Sequence, residues 1–291
     1  MKLFVSVSLL LFLPASLIAQ SGKVFDDLSM TSKILRGERK YAVYLPPDYE
    51  TSQRSYPVLY LLHGSGDDQT GWVQFGEVLH IADKAINDGS ATPMIIVMPD
   101  ANSGRRGYTN KIDGTWQYED FFFNEFIPYI EKTYRIKSEK RFRAVAGLSM
   151  GGYGTFLYAL HHPEMFSSAC PLSASTGPMQ LEDTRKSLQD FSQTNADTSM
   201  PDSLVEKYYR RNSVIYLVNN MPDDQKKAVR WYIDCGDDDH LSEGNSLIHV
   251  AMLKKEIPHE FRTRDGGHTW TYWRAALPEV LRFVSDAFHQ Y

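Results

Sequence analysis

The sequence has little cysteine, no block of one charge sign and no internal repeat, and each absence narrows what the protein can be. Only Cys170 and Cys235 occur, and they form no C-x-x-C motif, so neither a thioredoxin-like redox site nor a zinc-thiolate site is supported. Both lie in apolar, strand-like runs, so two buried free thiols are at least as well supported as a disulfide. The net charge of -5 comes from interspersed acids and bases, which offers no electrostatic footprint for nucleic acid. We therefore expect a small or neutral ligand.

Long apolar runs are also missing, except at the N-terminus. Lys2 precedes an apolar run over residues 3–18, which ends in small residues before Gln20. This pattern is typical of a signal peptide, and we predict that residues 1–19 are removed on export, an uncleaved anchor being the alternative. We expect no membrane span in the mature chain and a secreted or periplasmic location.

Short continuous apolar runs alternate with stretches of helical spacing from Pro57 onward. Such runs suit parallel strands buried on both faces, so the alternation predicts an α/β domain with a mostly parallel sheet and helices on both faces. An antiparallel pair of strands at 24–35 and 40–45 precedes it. The later core strands are expected at 58–62, 94–98, 142–146 and 231–233, and the helices at 77–86, 119–134, 150–161, 246–257 and 271–289. We predict a single domain over residues 20–291.

The alternation is interrupted over residues 176–228 by a polar stretch with weak helical pieces. More than about 15 residues without a core element is unusual within a compact domain. This stretch is either a lid-like insertion or a disordered loop. We expect an insertion before the strand at 231–233, because its aromatic and aliphatic residues can pack. These are Tyr208, Tyr209, Ile215, Tyr216 and Leu217.

The expected strand at 142–146 runs directly into Gly147-Leu148-Ser149-Met150-Gly151, a G-x-S-x-G motif, and a helical pattern begins at once. The glycines permit a tight strand-to-helix turn that raises the Ser149 hydroxyl above the sheet edge. An ordinary glycine turn is the alternative. A serine hydroxyl is a weak nucleophile near neutral pH, so catalysis also requires a base and a carboxylate that orients it.

The best candidate for the base is His268, in the flexible segment 265–268 between an expected strand and the last helix. A surface-loop histidine is the alternative. For the acid, the strand that begins at Trp231 is followed by Asp237, Asp238 and Asp239, and one of them should face His268. The residues alone do not separate the three, and a solvated acidic turn or a metal site remains open.

An oxyanion hole needs two preorganised N–H donors. One should come from Met150, the residue after the nucleophile. The second should come from the loop after an early strand, and we choose Ser65 in the segment 62–66, whose glycines allow close backbone approach. His63 is expected to shape this loop, with a role as base as the alternative.

Together, these motifs resemble the esterase D and feruloyl esterase group of α/β-hydrolases, which includes carbohydrate esterases of family 1 and is similar to the antigen 85 mycolyltransferases. The matching pieces are residues 60–64 with Trp72, 97–100, 118–121, 147–152, 235–236 with Asp239, and 267–270 with 273–274. The resemblance implies that the acid is Asp239, and it supports Ser65 in the oxyanion hole. His240 departs from the group, whose members often carry an aromatic residue there.

The resemblance implies a serine esterase that forms an acyl-enzyme and requires no cofactor or metal. The expected partner is an ester-substituted plant polysaccharide or oligosaccharide. A feruloylated polysaccharide is the first choice, and acetylated xylan is the second. Acyl transfer of the antigen 85 kind is a further alternative. The residues expected to contact the substrate are Trp72, Asp100, Tyr108, Trp116 and Trp270.

Overall fold

The computed structural model describes residues 21–101, 107–192 and 201–289, so the expected signal peptide at 1–19 lies outside the described residues. The described chain forms one eight-stranded sheet in the order β1-β2-β4-β3-β5-β6-β7-β8. The strands are β1 (Lys23–Ser32), β2 (Gly37–Leu45), β3 (Val58–Leu62), β4 (Ile95–Pro99), β5 (Arg143–Leu148), β6 (Ser168–Leu172), β7 (Arg230–Gly236) and β8 (His259–Arg264). β1, β2 and β4 pair antiparallel, and the pairs from β4 through β3 to β8 are parallel. The predicted mostly parallel sheet with an antiparallel lead-in is confirmed.

Ten α-helices connect or flank these strands within the described residues. They are α1 (Gly71–Gln74), α2 (Val78–Asn87), α3 (Tyr118–Phe121), α4 (Ile127–Thr133), α5 (Met150–His161), α6 (Leu181–Ser192), α7 (Asp202–Asn212), α8 (Val214–Asn219), α9 (Ser242–Lys254) and α10 (Trp270–His289). The helix expected at 119–134 is divided by a π-helical turn at Phe122–Phe126. Pro128 follows in the first turn of α4, where it cannot donate the regular backbone hydrogen bond.

The sheet is covered on both faces, because successive strand residues point to opposite sides. In β3, Leu59 and Leu61 pack with α2 and α10 in one core cluster. Val58, Tyr60 and Leu62 pack in a second cluster with residues of α4, α5, α8 and α9. All five side chains are completely buried, which explains why the strand reads as a continuous apolar run.

The insertion over residues 176–228 contains α6, α7 and α8 in its described part, so the expected helical pieces are present. Its buried anchors are Val205, Val214 and Val218. The aromatic residues that we expected to pack are only partly buried. Val214 and Val218 of α8 belong to the core cluster that also contains residues of α5 and α9.

Cys170 on β6 and Cys235 on β7 are both buried and both free. Of the two alternatives that the sequence leaves open, the structure has the buried free thiols and not the disulfide. Burial raises the pKa of both thiols, that of Cys235 to about 12. None of the described helices combines the length and apolarity needed to cross a membrane.

We expect the native protein to react very slowly with a thiol-specific reagent. The unfolded protein should react at once, with two thiols per chain. Thiolates are the reactive species, and burial suppresses both their formation and reagent access. Titration with Ellman's reagent, before and after adding guanidinium without reductant, measures both quantities. Fewer than two equivalents after unfolding would contradict the free-thiol state.

Candidate active site

Ser149 lies at the turn between β5 and α5, with a φ of 55° and a ψ of -113°. A positive φ is uncommon for residues other than glycine, and such strain is typically held at functional sites. The Ser149 N–H donates to the Leu172 carbonyl at 2.9 Å, and the Ser175 N–H donates to the Ser149 carbonyl at 3.1 Å. The turn is thereby tied to the end of β6.

Glycine is required at position 151, two residues after Ser149 in the first turn of α5. A Cβ at Gly151 would lie 2.5 Å from the Leu62 carbonyl oxygen and 2.6 Å from that of His63. Both contacts are with backbone, which cannot move aside easily. Gly151 thus lets the first turn of α5 rest directly on the end of β3.

His268 lies between the Ser149 hydroxyl and the Asp239 carboxylate. Its Nε2 is 2.9 Å from Ser149 Oγ, and its Nδ1 is 2.9 Å and 3.1 Å from the two Asp239 carboxylate oxygens. An ionised carboxylate can only accept a hydrogen bond, so Nδ1 carries the proton and Nε2 accepts from the serine hydroxyl. This is the tautomer that a general base next to a serine needs.

The three consecutive aspartates differ in burial and in partners. The Asp239 side chain is completely buried, and its Oδ1 also accepts from the Leu241 N–H at 2.8 Å. Asp237 and Asp238 are exposed. Asp237 Oδ1 accepts from the Gly266 N–H at 3.1 Å and thereby braces the loop before His268. Among the described residues, only Asp239 joins the chain of hydrogen bonds to Ser149.

A second buried carboxylate, Asp234 on β7, joins the elements that carry the acid and the base. Its oxygens accept from the Tyr232 hydroxyl at 2.7 Å, from the Tyr272 hydroxyl on α10 and from the Arg264 guanidinium on β8. Burial raises the pKa of Tyr232 and Tyr272, so both stay neutral donors. This cluster was not predicted from the sequence. A carboxylate inside the apolar run 231–235 was the available signal.

Both expected oxyanion-hole donors lie next to the nucleophile. Met150 is the first residue of α5, and a Cβ at Gly64, the residue before Ser65, would lie 3.5 Å from Ser149 Cβ. Within the described residues, neither the Met150 N–H nor the Ser65 N–H donates a hydrogen bond to the protein. Their role as donors to an oxyanion stays a prediction.

His63 shapes the loop that carries Ser65, as predicted. Its ring is 1% exposed. Nδ1 donates to the Gly64 carbonyl at 2.8 Å, and Nε2 accepts from the Ala101 N–H at 3.0 Å. With both nitrogens engaged inside the protein, His63 is not positioned as a base for Ser149.

Three of the expected substrate contacts are core residues instead. Trp72, Tyr108 and Trp116 are 0%, 2% and 3% exposed, too little for direct contact with a ligand. Their polar atoms support backbone: Trp72 Nε1 donates to the Leu62 carbonyl at 3.0 Å and Trp116 Nε1 to the Gly107 carbonyl at 2.7 Å. The Tyr108 hydroxyl donates to the His63 carbonyl and accepts from the His63 N–H. Large aromatic residues are usually core, and these rings follow that rule.

Asp100 and Trp270 remain accessible. Asp100 follows β4, and its side chain is 16% exposed, 3.7 Å from His63 Nε2. Trp270 begins α10, two residues after His268, and is partly exposed. Its ring lies 5.9 Å from that of Phe75, which is 48% exposed. Phe75 was missed, since nothing in the sequence separates it from a core aromatic.

A cavity of about 290 Å³ lies between α7 and the segment 110–117. Its lining combines the apolar residues Ile112 and Leu204 with amide, hydroxyl and cationic side chains, namely Asn110, Lys111, Gln117, Lys207, Tyr208, Arg211 and Asn212. The Tyr153 hydroxyl on α5 donates to the Asn212 carbonyl at 2.5 Å and so connects this wall to the helix that follows Ser149.

Two groups of side chains in the described residues have potential metal-binding atoms close together. One is Asp239, His240 and His268, and the other is the exposed set Asp237, Asp238 and Asp265. Exposed carboxylates commonly lie together without a cation. The first group includes two residues of the hydrogen-bonded chain to Ser149.

The strand order, the turn at Ser149 and the chain Ser149–His268–Asp239 define an α/β-hydrolase with a triad of the serine-hydrolase type. The chain belongs to the Esterase family, whose model matches residues 32–284. A solved ferulic acid esterase is 37% identical with a TM-score of 0.79, over 92% of this chain and 99% of that one. The predicted α/β-hydrolase fold and the resemblance to the feruloyl esterase group are confirmed.

Two curated relatives extend this comparison. The esterase Rv1288 of Mycobacterium tuberculosis is 32% identical over 269 residues, which cover 84% of this chain and 54% of the relative. The endo-1,4-beta-xylanase/feruloyl esterase of Xylanibacter ruminicola is 39% identical over 150 residues, covering 49% of this chain and 20% of the relative. The chain thus spans about half the length of the first relative and a fifth of the second.

The variant Asp239→Asn tests whether this buried aspartate is the acid of the triad, and Asp238→Asn is the matched control. The asparagine removes the negative charge and can turn an N–H toward Nδ1, which favours the wrong tautomer of His268, so kcat for ester hydrolysis should fall roughly 10³- to 10⁴-fold. Asp238→Asn removes a neighbouring exposed carboxylate and should change kcat little. Steady-state kinetics on a soluble aryl ester measure both. Equal losses in the two variants would refute the assignment of the acid.

Proposed function

We propose that this protein is a serine carboxylesterase that works through an acyl-enzyme intermediate. The observation that carries this proposal is the hydrogen-bonded chain from Ser149 Oγ through His268 to Asp239, with each contact close to 3 Å. Such a chain is what the activation of a serine hydroxyl requires. Membership of the Esterase family supports the same reaction class.

In the proposed mechanism, Ser149 Oγ attacks the ester carbonyl and His268 Nε2 takes its proton. Asp239 stabilises the imidazolium that forms, and the N–H groups of Met150 and Ser65 donate to the oxyanion. His268 then gives the proton to the leaving alcohol, and the acyl group stays on Ser149. Water, activated by the same histidine, releases the acid and restores the serine.

Replacing Ser149 by Ala tests the mechanism. Only the nucleophilic oxygen is lost, so kcat/KM should fall roughly 10⁵- to 10⁶-fold while the fold persists. Ser138→Ala removes an exposed hydroxyl before β5 and serves as the control, with unchanged activity expected. Ester hydrolysis and the circular-dichroism melting curve are measured for both. Turnover near the wild-type level in Ser149→Ala would rule out the acyl-enzyme.

For the substrate, we propose a feruloyl ester of a plant cell-wall polysaccharide. The ferulic acid esterase and the xylanase/feruloyl esterase among the relatives support the acyl group. Trp270, two residues after His268 in the chain, and Phe75 present accessible rings 5.9 Å apart, which suits a flat aromatic acid. Trp72 meets Trp270 edge-on at 5.2 Å and would hold that ring rigid.

We propose that the sugar binds in the cavity along α7, against the wall formed by the insertion. Amide, hydroxyl and cationic groups can donate hydrogen bonds to sugar hydroxyls and to uronic-acid carboxylates. The apolar run after Lys2 supports secretion, where polymeric cell-wall substrates are accessible. Export and this substrate are consistent with one another.

The acyl group is tested by paired kinetics on a feruloyl and an acetyl ester of the same alcohol. Burial of the aromatic ring adds roughly 1.5 to 3 kcal/mol of binding, so kcat/KM should be about 10- to 100-fold higher for the feruloyl ester. Trp270→Ala and Phe75→Ala should each reduce this preference. Phe25→Ala removes an equally exposed ring on the edge strand β1 and should leave it unchanged.

An acetyl preference in the wild type would reassign the protein to acetylxylan as substrate. A feruloyl preference that survives both Trp270→Ala and Phe75→Ala would mean that the acyl group binds elsewhere. Acyl transfer to an added acceptor sugar, detected by product analysis, would favour the transferase alternative.

A further inference from the structure

His240 brings a second imidazole to the triad. Its Nδ1 is 3.6 Å from Asp239 Oδ1, and its ring centroid is 4.6 Å from that of His268. The side chain is 69% exposed, whereas that of His268 is 23% exposed and that of Asp239 is buried. Nothing in the proposed ester hydrolysis uses His240.

The ligand atoms of Asp239, His240 and His268 all lie within 4.8 Å of one another. A tetrahedral ion with bonds of about 2.0–2.1 Å to nitrogen and oxygen separates its ligand atoms by about 3.3 Å. Here, His268 Nδ1 lies 2.9 Å and 3.1 Å from the two Asp239 carboxylate oxygens, and His240 Nδ1 lies 3.6 Å from Asp239 Oδ1. Both separations from the Asp239 carboxylate thus lie within about half an ångström of the tetrahedral value.

We propose that Asp239, His240 and His268 form a binding site for a divalent transition-metal ion such as Zn²⁺, and that occupation of the site inhibits the esterase. Two imidazoles and one carboxylate are typical ligands for Zn²⁺, Cu²⁺ and Ni²⁺. Mg²⁺ and Ca²⁺ prefer an all-oxygen shell and are poor occupants. The ion is an inhibitor of the triad and not a cofactor.

Inhibition follows from the tautomer of His268, and this part of the inference rests on the proposed function. The neutral imidazole has one N–H, which now points from Nδ1 to Asp239. A metal bound at Nδ1 requires the lone pair of that nitrogen, so the proton moves to Nε2. Nε2 then donates toward Ser149 and can no longer accept its proton. No net proton is gained or lost by the ring.

The second carboxylate group and the two thiols of the described residues are poor competitors for such an ion. Asp237, Asp238 and Asp265 offer only exposed carboxylates, which suit hard cations. Cys170 and Cys235 are buried, and burial raises the pKa of both thiols, so thiolate ligands are scarce near neutral pH.

The test titrates hydrolysis of 4-nitrophenyl acetate with ZnCl₂ in a non-chelating buffer, for the wild type, His240→Gln and His80→Gln. His80 is an exposed histidine on α2, far along the chain from the triad, and provides the matched control. We expect reversible inhibition of the wild type and recovery with EDTA. Loss of one ligand should raise the inhibitory Zn²⁺ concentration at least about 10-fold in His240→Gln, and His80→Gln should match the wild type.

Binding is measured separately from catalysis with Co²⁺, whose visible absorption reports nitrogen and oxygen ligation, in the Ser149→Ala background. One Co²⁺ per chain is expected, and adding His240→Gln should abolish the spectrum. If His240→Gln is as sensitive to Zn²⁺ as the wild type, or MgCl₂ inhibits equally, the proposed site is wrong. Saturable Co²⁺ binding through His240 without inhibition by Zn²⁺ would support the site and contradict the role of His268 as base.

Discussion

The backbone of Ser149 is held in a conformation that a serine does not adopt readily, and the active site depends on how this turn is maintained. A residue in such a region costs roughly 1–3 kcal/mol. The cost is offset by the hydrogen bonds from Ser149 to Leu172 and from Ser175 to Ser149, which join the turn to β6. Gly151 lets α5 rest on the end of β3, so the hydroxyl, the helix N-terminus and the Ser65 loop converge at the carboxyl edge of the sheet.

The acid and the base come from two loops, and a buried polar cluster beneath them aligns the elements that carry these loops. Asp234 accepts hydrogen bonds from β7, β8 and α10, through Tyr232, Arg264 and Tyr272. A buried carboxylate is costly unless it is fully paired, so these partners must stay together in the native state. Gly236 adds a close approach, because a Cβ there would lie 1.9 Å from the Gly266 carbonyl oxygen. The Asp239 and His268 loops therefore lie side by side.

Several aromatic residues near the site act as supports. Trp72, Tyr108 and Trp116 donate to backbone carbonyls at the ends of β3 and in the loops around Ser65 and Gly107. They support these segments from within the core and offer almost no surface of their own to a ligand. The accessible rings are those of Trp270 and Phe75, and the geometry thus moves the proposed acyl site to the side of α10.

The sequence alone determined the alternation of strands and helices, the Ser149 turn and the choice of His268, because these depend on local features. Continuous apolar runs require strands buried on both faces, and G-x-S-x-G between a strand and a helix permits only a narrow set of turns. The resemblance to a known group added Asp239, which the residues could not separate from its two neighbours.

Only the tertiary structure decided which side chains are accessible and which meet across the sheet. The pairing of Asp239 with His268 joins residues 29 positions apart, and the exclusion of Trp72, Tyr108 and Trp116 follows from burial by distant segments. The contact of His240 with the triad and the pairing of Asp234 with Tyr232, Tyr272 and Arg264 arise in the same way. Hydrophobic spacing reports which face of an element is buried, whereas hydrogen bonds between loops depend on how the elements pack in three dimensions.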